Sequence, residues 1–120
     1  MTTREEGFTL LELVVVVTLI GILTAIAVGY NVAARDRGAD AAAQSNIRVA
    51  IPAFEAYRDD NSGSYGGMSL ATLQSQFSPG IEGIVILSAN ATSYCVASTV
   101  QGRSWYKLGP DGPLTTTSCA

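Results

Sequence analysis

Residues 8–28, FTLLELVVVVTLIGILTAIAV, form a run of 21 residues with one ionisable group, Glu12, and otherwise enough apolar character to cross a bilayer. About 20 such residues at a helical rise of 1.5 Å span roughly the 30 Å hydrocarbon layer. A carboxylate inside that layer costs roughly 2.5–3.5 kcal/mol on insertion scales, so it marks a functional site and requires a partner. Gly7 and Phe8 stand one helical turn before it, and a cut after Gly7 would leave Phe8 with a positively charged amine. A plain signal anchor has the same length but no need of Glu12. A secretory signal peptide is the stronger rival, because Ala25-Ile26-Ala27 fits the small-x-small rule for a cut before Val28. Against it stand the charge within the apolar region and the flank, where Arg4 is outnumbered by Glu5 and Glu6.

The string Gly7-Phe8-Thr9-Leu10-Leu11-Glu12, followed at once by the apolar stretch, closely resembles the processing site of the type IV pilin family. That family contains pilus subunits, competence pilins and type II secretion pseudopilins. The resemblance implies a membrane peptidase that cuts after Gly7 and methylates Phe8. It implies pairing of Glu12 with the N-terminus of a neighbouring copy, and a membrane assembly platform. It also implies storage in a bacterial or archaeal-type cytoplasmic membrane before growth of an extracellular filament on the cell surface. The acidic flank departs from the family's usual basic leader, which weakens the positive-inside contribution.

Four stretches follow: a leader over 1–7, a transmembrane or filament-core helix over 8–29, an amphipathic half of the same helix over 30–58, and a head over 59–120. Past Tyr30, charges enter at Arg35, Asp36, Arg37, Asp40, Arg48 and Glu55, while Ala43, Ile47, Ile51 and Phe54 recur at helical spacing, with Ala50 and Tyr57 on the same stripe. One helix of 51 residues from Phe8 to Arg58 would measure about 76 Å. Gly21 and Gly29 each lower helix propensity by about 1 kcal/mol, and Pro52 deletes a backbone hydrogen bond and is expected to kink the helix. In the resembling family a proline often occupies the position of Gly29, and the stretch back to the earlier glycine can lose helix in a filament. Close packing of helices is the alternative role for both glycines.

Asp59-Asp60-Asn61-Ser62-Gly63 begins a dense turn segment. A short helix over 70–77 and strands over 84–87, 93–100 and 104–108 follow, with Gln101-Gly102 as a tight link and Pro110-Asp111-Gly112 as a further turn. The expected fold is α+β: a long N-terminal helix whose second half packs on a small antiparallel sheet.

Cys95 and Cys119 are the only cysteines, and an even count beyond an export segment reads as a disulfide rather than two free thiols. No metal is expected, since histidine is absent and two cysteines cannot complete a zinc site. Asp59, Asp60 and Asn61 lack calcium-loop spacing, and the C-terminal loop that is acidic in major pseudopilins offers only Asp111 here. A formal charge of −3 argues against a broad nucleic-acid footprint. Arg103-Ser104-Trp105-Tyr106-Lys107 is the one local patch for DNA, though such a strand more often packs its aromatics and keeps its edge soluble. Asn90-Ala91-Thr92 matches a glycosylation sequon and 115–118 could carry O-linked sugar, though such sites are most often unmodified. No catalytic constellation and no cofactor motif is present. The expected function is therefore that of a self-polymerising filament subunit, with membrane lipid as its surroundings before assembly. The alternatives are a secretion pseudopilin, a competence pilin, or a non-polymerising membrane-anchored or secreted binding domain.

Overall fold

The computed structural model describes Gly7 and residues 9–120. Helix α1 covers Leu10–Asp60, and the chain divides into two units, Met1–Arg35 and Asp36–Ala120.

In the first unit every described residue is exposed, including Leu13, Val17, Leu23 and Ile26. Between Leu13 and Gly29 both threonine hydroxyls are satisfied within the helix: Thr18 Oγ1 donates to the Val14 carbonyl and Thr24 Oγ1 to that of Ile20, both at 2.7 Å. Backbone and threonine polarity is thus spent inside the helix, which presents a hydrocarbon surface, as a membrane-capable segment requires. The helix is unbroken through Gly21, Gly29 and Pro52. Because Pro52 has no N–H, the Arg48 carbonyl lacks its usual donor four residues on.

In the second unit, α1 buries Ala39, Ala43, Ile47, Ala50, Ala53, Phe54 and Tyr57. The expected stripe is corrected at its margins, since Ile51 is only half-buried while Ala39 and Ala53 are covered. At 100° per residue, Ile51 and Ala53 lie about 80° to either side of Ala43. On such a rim a methyl is covered, whereas a longer side chain reaches past the edge.

The helix ends two residues later than expected, and Ser62 and Gly63 then turn the chain in the left-handed region. Helix α2, Leu70–Gln76, is capped by Ser69, whose hydroxyl accepts from the Thr72 amide at 3.2 Å. Strands β1 (Val85–Ala89), β2 (Tyr94–Val100), β3 (Arg103–Gly109) and β4 (Leu114–Thr115) form an antiparallel meander in that order. The β2–β3 link is the two-residue Gln101-Gly102 turn with φ of 50° and 78°, the positive pair that suits a hairpin's twist. Strand β4 has no counterpart among the expected strands; it pairs Thr115 with Tyr106 and Leu114 with Lys107.

Tyr94, Val96 and Ser98 alternate along β2 and face α1. The Phe54 and Tyr94 rings lie 4.8 Å apart, and Tyr65 stacks edge-on to Tyr94 at 4.9 Å. Such pairs add about 0.5–1.5 kcal/mol each beyond the area they bury. Asn46 Nδ2 donates to Ser98 Oγ at 3.2 Å, and Ser98 Oγ donates to the Gly83 carbonyl at 2.6 Å, so this buried polar contact joins helix, strand and loop. On the opposite face of β2, Cys95 is fully buried and bridged to Cys119, with Cα atoms 5.8 Å apart.

Candidate functional site

Glu12 stands on the first turn of α1, and Thr9 immediately precedes the helix. The Glu12 amide donates to Thr9 Oγ1 and the Thr9 amide donates to Glu12 Oε2, each at 3.2 Å. This is a capping box, in which a threonine and the glutamate three residues on satisfy each other's open backbone donors. The motif Thr9-x-x-Glu12 was legible in the sequence, but weighing Glu12 only as a charge hid its local role. One carboxylate oxygen serves the cap and the other stays available to a second donor.

The expected cut after Gly7, the methylation of Phe8 and the contact of the Phe8 amine with Glu12 all involve Phe8, which lies outside the described residues, as do 1–6. Gly7 itself is exposed, and a Cβ built on it would meet nothing within 4 Å. The same is true of Gly21 and Gly29. Among the described residues nothing therefore calls for glycine at these three positions.

A second constellation, absent from the sequence reading, sits in the second unit. Asp40 of α1 accepts from Arg103 Nε at 2.7 Å, from Arg103 Nη2 at 3.0 Å and from Trp105 Nε1 at 2.9 Å. The Arg103 guanidinium, and then the Trp105 indole, hold the Asp40 carboxyl below the usual carboxylate range; Asp40 in turn raises Arg103. Asp36 adds a contact to Arg103 at 4.0 Å. Lys107 Nζ donates to the Gly112 carbonyl at 2.5 Å. The strand considered for DNA thus has its arginine paired with two aspartates, its indole bonded to one of them and its lysine held by its own turn. The contacts to Asp36 and Asp40 join residues more than 60 positions apart, which periodicity cannot reveal. Further along α1, burial and then the Glu55 carboxylate push the Tyr65 phenol up to about 12, as its hydroxyl donates to Glu55 Oε1 at 2.7 Å.

Residues 2–28 match a family described as the prokaryotic N-terminal methylation motif. Across 119 residues the chain is 33% identical to the type IV wide pilus major component PilA4 of Thermus thermophilus, covering 98% of this chain and 91% of that protein. The methylation motif takes in less than a quarter of the sequence, so the similarity to a major pilus component extends across the sheet and its disulfide-linked tail as well. Likeness on that scale is more than an apolar helix of common composition produces: the chain belongs to the type IV pilin family, whose proteins are structural rather than enzymatic.

Proposed function

We propose that this chain is a structural subunit of an extracellular type IV pilus-like filament, held in the cytoplasmic membrane by 8–29 until it polymerises with copies of itself. The supporting observation is the similarity to a major pilus component over nearly the full length. In this reading a prepilin peptidase removes 1–7 after Gly7 and methylates Phe8, and a membrane assembly platform draws the subunit out of lipid. The helix over 8–29 then joins the filament core, 30–58 carries the head, and 59–120 forms the outer surface. Gly21, Gly29 and Pro52 are the points where the helix yields during packing.

Assembly replaces lipid around the apolar helix with other copies of it, and Glu12 then meets the Phe8 amine of a neighbour. A buried ion pair adds little net stability, but leaving one charge unmatched is costly, so the pair selects register. The capping box makes this testable, because glutamine retains the cap while removing the charge. Glu12→Gln and Glu12→Ala should both leave the subunit inserted yet reduce sheared filament to a small fraction of the wild-type yield. Wild-type yield from Glu12→Gln would show that the cap, not the charge, is what assembly needs. Mass spectrometry of mature protein should find methylated Phe8 at the N-terminus, and finding Val28 there would establish a secretory signal instead.

A further inference from the structure

Resting on the membrane-stored subunit just described, the geometry points to Tyr30 and Arg35 as a lipid-phosphate contact on the exported leaflet, one that holds Glu12 at the cytoplasmic boundary of the bilayer. Between Glu12 and Tyr30 the helix surface carries no side chain that needs water, since both threonine hydroxyls are satisfied by carbonyls of the same helix. Glu12 and Tyr30 lie 18 residues apart, which is about 27 Å along a helix. The hydrocarbon layer is about 30 Å thick. One depth therefore puts both at an interface, with Gly21 midway; sinking Glu12 to the midplane would instead expose a turn or more of apolar helix beyond the far side.

The residues at the outer end fit that depth. Tyr30 is 73% exposed, and its amphipathic ring belongs at headgroup level. Arg35 is about 34 Å from Glu12 by the same rise, beyond the hydrocarbon and within the 40–45 Å that includes the headgroups. It is exposed, and among the described residues no acidic side chain lies within ion-pairing distance of it. A guanidinium presents paired donors that match phosphate oxygens. Phospholipid phosphate is the partner these positions favour, and the contact sets how deep the helix rests. The stored subunit thereby avoids most of the cost of an acid in hydrocarbon, and Glu12 leaves the interface only on extraction.

The test uses the full chain in inverted membrane vesicles from producing cells, with Leu10→Cys, Leu13→Cys and Val17→Cys introduced singly beside the native disulfide. A membrane-impermeant maleimide should label positions 10 and 13 and fail at 17. Moving the arginine one turn inward, Asn31→Arg with Arg35→Ala, should draw the helix outward by four residues and reduce labelling at 13 at least fivefold. A labelling boundary that stays in place, or protection already complete at 10, would overturn the anchor while leaving the chain an embedded pilin. Wild-type chain released by alkaline carbonate would overturn the membrane-stored subunit, and the anchor with it.

Discussion

Opening the Cys95–Cys119 bridge should remove a large share of the stability of the 36–120 unit. The cysteines are separated by 24 positions, so the bridge closes a loop of about 25 residues, and the loss of that closure is worth roughly 3.5 kcal/mol in the chain-entropy treatment. A unit of 85 residues has a total stability of only about 4–13 kcal/mol at the usual 0.05–0.15 kcal/mol per residue. The only other sheet pairing of the C-terminal tail is β4, two residues long. The assay is urea unfolding of the full chain in detergent, followed by fluorescence of Trp105, the single tryptophan. With a slope of about 1 kcal/mol per molar urea, the midpoint should fall by about 3.5 M in Cys95→Ala/Cys119→Ala and in reduced wild type alike. A fall equivalent to less than about 1 kcal/mol would refute the reasoning, because β4 and the turn before it would then hold the tail unaided. A large fall in the double variant but not in reduced wild type would assign the loss to the vacated Cys95 position instead.

Tyr94→Phe should leave stability unchanged or raise it by about 1 kcal/mol, since Tyr94 Oη is buried with no hydrogen-bond partner among the described residues; a loss of that size in the same urea assay would show the hydroxyl to be bonded. Gly109→Ala should destabilise by at least 1–3 kcal/mol, because a Cβ there would fall on the Tyr94 ring, and Gly109→Ala/Tyr94→Ala should be less damaging than the two single losses summed. Phe54→Ala empties a fully buried site beside Tyr94 and should cost about 3–5 kcal/mol, read as a lowered midpoint in the same urea assay. The Asp40 carboxyl titrates lower in the folded chain than its ordinary value of 3.8, through Arg103 first and Trp105 second. Its contribution is therefore present above about pH 4 and disappears as pH falls through the depressed value. Asp40→Asn should flatten the acid limb of the stability profile, and an unchanged limb would remove Asp40 from that role.

Reading along the chain captured what depends on near neighbours. The apolar run, the stripe through Ala43, Ile47 and Phe54, the Gln101-Gly102 turn and the strand order all follow from local hydropathy, helical period and backbone preference, which residues a few positions apart determine. The disulfide was legible because only two cysteines exist to pair. The capping box was equally local and went unread, since Thr9 looked like part of a processing motif.

What the tertiary structure alone decided depends on register between distant segments. The pairing of Ser98 with Trp105 sets where β3 meets α1, and so brings Arg103 and Trp105 onto Asp40 across 63 and 65 positions. The same ladder sets Gly109 against Tyr94, which turns an unremarkable glycine into a packing requirement, and gives β4 its partner. A one-residue slip would send each of those side chains to the other face. Sequence thus determined the membrane-capable helix and the kind of head that follows it. Which charges are spent inside that head was settled only when helix and sheet closed on each other, because an ion pair is a property of two positions and their separation in space.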